Sequence, residues 1–352
     1  MNVALDVELD TPAAVVDLGR VRANLARWQA ECDRLGLANR PHVKTHKCVE
    51  LARMAVELGA AGLTCQKLGE AEVMADAGFD DLLVSYPILG PAKLARLASL
   101  LERTNVRTIV DDPALLPGLD SAAAAAGRTL GVLVDCDTGL GRTGVSSPAD
   151  AAELAGVVDG HAALRFDGFL TYPSPPGAAE FLLEAVAQAN ARRLESGIVS
   201  VGGTPSMWNA ETIVPPATEY RVGTYVFHDR NTLALGAATL DDVALTIAAT
   251  VVSRPARDRA ILDAGSKALS YDRGPDDGYG LVLEAPGSAI VNMNEEHAYV
   301  KVGPDDVLEV GMQVRIVPNH VCAAVNLYDE LVVVEDGRVV GSWRVAARGR
   351  SR

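Results

Sequence analysis

Cationic runs, long apolar stretches and paired cysteines are all scarce in this chain, and each shortage closes off a class of protein. Its 352 residues carry 32 Lys and Arg against 46 Asp and Glu, a formal net charge of -14. Basic residues gather only in a short tail, Arg344 to Arg352, so no nucleic-acid partner is expected. No apolar run approaches the roughly 20 residues that span a bilayer, so no membrane partner is expected either. The opening Met1-Asn2-Val3-Ala4-Leu5-Asp6 has no basic n-region and no apolar h-region, which predicts no secretory leader. The five cysteines, Cys32, Cys48, Cys65, Cys136 and Cys322, are odd in number and scattered. That suits reduced thiols of a cytoplasmic protein and not a disulfide framework. Finally, no Gly-x-Gly-x-x-Gly follows the first expected strand, which argues against a dinucleotide fold.

What remains is an ordinary globular composition, 49% hydrophobic and 22% charged, with length for two domains or one barrel plus an addition. From about 12 to 235, short β-rich runs alternate with helix-like stretches. Expected strands are His42–Lys44, Gly62–Cys65, Leu82–Ser85, Arg107–Val110, Leu130–Asp137, Phe166–Tyr172, Ile198–Gly202 and Glu219–Phe227. Leu51 to Leu58, Glu70 to Ala77 and Ala92 to Leu101 carry helical spacing between them. Eight such alternations predict a parallel sheet closed into a (β/α)8 barrel, with an open doubly wound sheet as the alternative. Beyond about 240 the pattern becomes strands parted by Gly, Pro and Asp turns. It includes a hairpin at Val333–Val340 with an Asp336-Gly337 turn. The domains expected are therefore a barrel, 12–235, and an antiparallel β domain, 236–352 plus 1–11. Ala13 to Val16, which precedes the first barrel helix, is expected to pair with the β domain.

Arg40-Pro41-His42-Val43-Lys44-Thr45-His46-Lys47 puts a lysine at the end of the first barrel strand. Residues two apart in a strand share a face, so His42 and Lys44 should point the same way. A lysine aimed into a barrel is costly unless its charge is paired or its amine is used. The main use is a Schiff base, for which pyridoxal 5'-phosphate (PLP) is the usual aldehyde. The octapeptide reads equally as a surface lysine in a basic loop. At the seventh strand end, Gly202-Gly203-Thr204-Pro205-Ser206 offers close backbone approach, free N–H groups and hydroxyls, as a phosphate cradle requires. Gly223-Thr224 at the eighth would complete it, since barrels place phosphates after strands 7 and 8. Gly-Gly-Thr alone is also a common structural turn. Arg221 either faces a pyridine nitrogen or pairs with Glu219. In Pro318-Asn319-His320-Val321-Cys322, an extended His-x-Cys would put imidazole and thiolate on one side as a two-point anchor for a divalent ion. A buried cysteine and a satisfied histidine are the ordinary reading. His297 is a further polar candidate, while His161 and His228 read as non-catalytic.

The chain resembles the PLP-dependent fold-type III enzymes of the D-threonine aldolase and D-serine dehydratase group, distant relatives of alanine racemase. The resemblance runs from Asp10-Thr11-Pro12-Ala13 and the Lys44 octapeptide through Cys65-Gln66-Lys67, Asp137-Thr138-Gly139-Leu140-Gly141-Arg142-Thr143-Gly144 and Gly202-Gly203-Thr204. It continues with Asp263-Ala264-Gly265, Glu295-Glu296-His297, Pro318-Asn319-His320-Val321-Cys322 and Asn326-Leu327-Tyr328-Asp329. It implies a PLP barrel with a β domain, usually a homodimer, acting on a small amino-acid substrate. It implies Lys44 as the Schiff-base lysine and Gln66, Arg142 and Tyr172 among the cofactor contacts. His320 and Cys322 would be ligands of a divalent metal, Zn or Mn, that holds the substrate's β-hydroxyl. Many members carry a histidine after the sixth strand, where this chain has Tyr172-Pro173-Ser174. Its absence leaves metal-bound hydroxide, His42 or Tyr172 to take the proton. The activity expected is cleavage of a D-β-hydroxy-α-amino acid to glycine and an aldehyde. Dehydration of D-serine or 3-hydroxyaspartate is the alternative; a racemase or a non-catalytic PLP-binding protein comes after it.

Overall fold

A computed structural model describes residues Leu9–Arg352. Residues 1–8 lie outside the described residues, and with them the expected lack of a leader and most of the 1–11 segment. The chain folds as two compact units. One holds Trp28–Lys44, Leu51–Gly223 and Gly349–Arg352; the other holds the described residues up to Arg27, Thr45–Glu50 and Thr224–Arg348.

In chain order the first elements are β1 (Ala13–Asp17), α1 (Leu18–Leu35), β2 (Ala38–Asn39), α2 (Val49–Glu57), β3 (Leu63–Cys65), α3 (Leu68–Asp76), β4 (Asp81–Val84) and α4 (Pro91–Leu101). Then come β5 (Asn105–Val110), α5 (Leu116–Ala125), β6 (Leu130–Cys136), α6 (Pro148–Asp159), β7 (Leu164–Thr171), α7 (Ala178–Ala191), β8 (Ile198–Gly202) and β9 (Glu219–Arg221). Strands β2 to β9 form one parallel sheet in the order β2-β9-β8-β7-β6-β5-β4-β3. The segment after β2 closes it. On one side Arg40 N donates to Tyr220 O (3.0 Å) and His42 N to Val222 O (2.7 Å); on the other, Thr64 N donates to Pro41 O and Val43 N to Thr64 O, both 2.8 Å. The (β/α)8 barrel is therefore the fold of this unit. Its strands need both faces covered, and β6, Leu-Gly-Val-Leu-Val-Asp-Cys, is buried at every residue. Helices start where the sequence permits: Ser147 caps α6 by accepting Asp150 N at 3.1 Å, with Pro148 in its first turn.

Charges gather near the starts of the barrel strands in pairs, with Arg40 and Glu219 buried and Arg165 exposed. Arg40 donates to Glu219 (2.5 Å) and Asp81 (2.8 Å), Arg107 to Asp81 and Asp167 (both 2.9 Å), and Arg165 to Asp167 (2.5 Å).

The second unit contains α8 (Arg230–Ala234), β10 (Leu245–Ala256), β11 (Arg259–Leu262), α9 (Ser266–Leu269), β12 (Leu281–Val282), β13 (Ala289–Met293), β14 (Ala298–Lys301), β15 (Gln313–Val317), α10 (Val321–Val325), β16 (Glu330–Glu335) and β17 (Arg338–Arg344). With β1 these strands build a nine-stranded sheet. As expected, Ala13 to Val16 joins it: β1 pairs antiparallel with β10, and also with β16 in the sheet's parallel contact. The β16–β17 hairpin turns on Asp336 and Gly337, at φ 50° and 79°, as an Asp-Gly turn of this hand requires. Leu9 N and O bond the Gln313 side chain, tying the start of the described chain to β15.

Candidate active site

Lys44 is not in a strand. The extended segment ends at His42, and residues 43–46 form a turn. Alternation along a strand therefore does not bring His42 and Lys44 together; a turn does, with Lys44 N donating to His42 Nδ1 at 3.4 Å. The Lys44 amine lies 5.9 Å from the centre of the Tyr172 ring, and the Arg142 guanidinium 5.3 Å from it, both within cation–π range. Gly203 sits against the same ring at φ 127°, where an added side-chain carbon would meet Tyr172 at 3.1 Å. The ends of the first, fifth, sixth and seventh barrel strands thus meet around Tyr172.

Beside them His42 Nε2 is 3.1 Å from Gln66 Oε1 and 3.3 Å from Ser85 Oγ, while Gln66 Nε2 donates to Ser85 O at 3.2 Å. The other ring nitrogen receives the Lys44 N–H, so this network assigns the His42 proton to Nε2.

The glycine cradle differs from expectation in one respect. Its N–H groups are not all free: Gly202 N donates to Ser174 Oγ (3.1 Å), Gly203 N to Arg221 O (2.9 Å) and Gly223 N to Thr204 Oγ1 (3.3 Å). The close backbone approach is there, since a Cβ on Gly202 would fall 2.2 Å from Arg221 O. The eighth strand ends at Arg221, a short 3-10 turn covers Thr224–Val226, and the Thr224 hydroxyl lies 3.7 Å from Cys322 Sγ.

Arg221 does not bond Glu219, which Arg40 has taken. Its guanidinium donates to Ser200 Oγ (2.6 Å) and Thr171 O (2.8 Å), and burial lowers its pKa to about 10. Burial likewise raises the Asp135 carboxyl to about 6, against a hydrogen bond from Thr143.

In the other unit, His320 and Cys322 are not in an extended segment. His320 has extended backbone and caps α10, while Cys322 lies in its first turn. The two side chains meet all the same: hydrogen bonding to the Cys322 thiol, with the charges of Asp229 and Asp272, pushes the imidazole up to about 9. Asp272 Oδ2 is 3.7 Å from His320 Nδ1. Two buried residues fix this turn. Asp229 accepts Val321 N (3.0 Å) and Thr232 N (2.9 Å), starting α10 and α8 together. Asn319 donates to Asp272 O (2.8 Å) and Gly278 O (2.7 Å). Among the described residues no three His, Cys, Asp or Glu side chains form a metal-binding group, so exposed His297 does not join the pair.

Ser85, Ser174, Asp229 and Asn319 escaped the reading of the sequence. Asp229 had a signal, an Asp three residues before Thr232 as in a capping box; Asn319 lies inside the His-x-Cys motif already noted. Nothing local marks the two serines.

A parallel barrel with a lysine, an aromatic ring and a glycine cradle at one mouth defines a cofactor-dependent barrel enzyme. Comparison with known proteins narrows the class. Residues 16–231 match the alanine racemase N-terminal domain and residues 244–334 a serine dehydratase domain. A D-threonine aldolase of Arthrobacter sp is 38% identical over 98% of this chain and 94% of its own length. The crystal structure of D-threonine aldolase from Filomicrobium marinum is similar with a TM-score of 0.90 at 31% identity, covering 98% of this chain and 97% of that one. A cysteine-to-alanine mutant of D-threo-3-hydroxyaspartate dehydratase, in the metal-free form, gives 0.86 at 32% identity, covering 98% and 99%. The chain belongs to the alanine racemase N-terminal domain family, in its branch with a serine dehydratase domain, and is a PLP-dependent lyase.

Proposed function

We propose that this chain cleaves a D-β-hydroxy-α-amino acid into glycine and an aldehyde, with PLP on Lys44 and a divalent metal on His320 and Cys322. The observation that carries the reading is the Lys44 amine beside the Tyr172 ring, with Arg142 and Gly203 against the same ring. These residues fit the cofactor: an amine for its aldehyde, an aromatic ring and a cation beside it, and a backbone cradle with no room for a side-chain carbon. The donor set of imidazole and thiol fits Zn²⁺ or a related ion, and with two protein ligands it leaves positions for water and substrate.

When bound, PLP supplies an electron sink and the metal polarises the substrate's β-oxygen. The chain's own residues do the rest. Lys44 would hold the cofactor through its amine. His42, its Nδ1 occupied by the Lys44 N–H, positions the lysine turn and is not a base. Arg142, 5.3 Å from the centre of the Tyr172 ring, would contact the cofactor. Tyr172, flanked by two cations, takes the place of the sixth-strand histidine in moving the β-hydroxyl proton. Pro173 has no group for that task, and its carbonyl is bound by Thr138 Oγ1 at 3.0 Å.

A second reading is dehydration to a 2-oxo acid and ammonia, supported by the 35% identity to a D-threo-3-hydroxyaspartate dehydratase over 90% of this chain. Purified protein with added PLP and Zn²⁺ or Mn²⁺, given D-threonine, D-serine and D-3-hydroxyaspartate with and without a chelator, tests both. Glycine plus aldehyde, lost on chelation, is expected. Ammonia plus 2-oxo acid selects the dehydratase. D/L interconversion indifferent to chelator overturns both readings.

A further inference from the structure

The Cys322 sulfur is met by two threonine hydroxyls from distant parts of the sequence. Thr45 Oγ1 lies 3.2 Å from Sγ and Thr224 Oγ1 3.7 Å from it. Thr45 is fully buried, and among the described residues the sulfur is the one hydrogen-bond partner of its hydroxyl. While the thiol keeps its proton, either atom of each pair can donate. A metal-bound sulfur is a thiolate and has nothing to donate. Both hydroxyls must then aim their hydrogens at it. A buried hydroxyl without another acceptor is unsatisfied unless it does so. Donors of this kind fix a ligand's orientation.

We infer that Thr45 and Thr224 are positioning residues for the metal pair: their hydroxyls donate to the Cys322 thiolate and set the affinity of His320 and Cys322 for zinc. This rests on the proposed reading of that pair as metal ligands. Thr45 contributes more, because its contact is shorter and its own side chain is fully buried. Its neighbour in the chain is Lys44, so the visible absorption of bound PLP serves as a control on the lysine turn.

The test is Zn²⁺ titration of chelator-stripped, PLP-loaded protein in competition with a chromophoric chelator. Loss of an outer-sphere partner weakens metal binding by about 10- to 100-fold, and that is the result expected for Thr45→Ala, with PLP absorption retained. Thr224→Val should weaken zinc less. Thr45→Ser, which restores the hydroxyl, should return affinity to within about threefold of wild type, far inside the loss expected for an outer-sphere deletion. Wild-type zinc affinity in Thr45→Ala, beside a clear loss in Cys322→Ala, would overturn the inference and leave the metal reading standing. Wild-type affinity in Cys322→Ala would overturn both. If Thr45→Ala does not fold, unchanged zinc affinity in Thr224→Val overturns the inference instead.

Discussion

His228 offers a quantitative test of the interior. It is 1% exposed, its Nδ1 has no hydrogen-bond partner among the described residues, and its backbone is left-handed at φ 53°. Burial lowers its pKa to about 4, against the opposing charge of Asp242; an unfolded histidine titrates near about 6.5. Between those values the unfolded chain binds the proton and the native chain does not, so stability falls as pH falls through this window. The full gap is worth about 3 kcal/mol, and about 2 kcal/mol of it is gone by pH 5. Buried His46, also lowered to about 4 by burial, adds a loss of the same sign. Asp135 opposes both: its folded pKa of about 6 lies above the unfolded value, so its cost is relieved as pH falls. A single substitution separates these. Asparagine tolerates left-handed backbone, so His228→Asn keeps the turn and removes the titration. Urea unfolding at pH 7.5 and pH 5.0 should show the variant losing about 2 kcal/mol less than wild type over that interval. Equal losses in the two proteins would refute a buried, neutral His228.

Other parts of the account are open to similar measurement. Glu219→Ala strips the buried Arg40 of its 2.5 Å partner and should cost about 3–5 kcal/mol in denaturant unfolding; a loss under about 1 kcal/mol would mean that the remaining Asp81 contact suffices. Gly203→Val puts a branched side chain at φ 127° and against Tyr172, so PLP affinity should fall by about 5- to 150-fold, from a strain of about 1–3 kcal/mol, while the circular dichroism spectrum persists. Asp229→Ala removes the cap of α8 and the acceptor of Val321 N, the first N–H of α10, and should cost about 2 kcal/mol, at about 1 kcal/mol for each lost hydrogen bond, and weaken zinc binding as well.

The barrel was legible because its signals are local. Buried parallel strands such as Leu130–Cys136 are plain apolar runs, and helices begin at residues such as Pro91 and Ser147 that announce them. The hairpin at Asp336-Gly337 was legible for the same reason. Strand Ala289–Met293 was missed: Asn292 breaks its short apolar run Ala289-Ile290-Val291, and three of its five residues are exposed. Lys44 and Gly203 were found by type and place, and Tyr172 and Arg142 through the family resemblance, but their meeting around one ring depends on four strand ends far apart in sequence. Side-chain direction was less legible. Lys44 was read from strand alternation and His320-x-Cys322 from an extended segment, yet a turn places the first and a helix cap the second. Thr224 was assigned to phosphate by its place after a glycine; its hydroxyl faces sulfur, a contact spanning 98 residues that no local pattern records.

The claim on which the rest depends is that one particular amine holds the cofactor. Borohydride reduction of PLP-loaded protein, followed by mass mapping of its peptides, tests it directly. A pyridoxyl label is expected on Lys44 and on none of Lys47, Lys67, Lys93, Lys267 or Lys301. A label on any of those five, or a loaded protein from which Lys44→Ala removes no label, would contradict it.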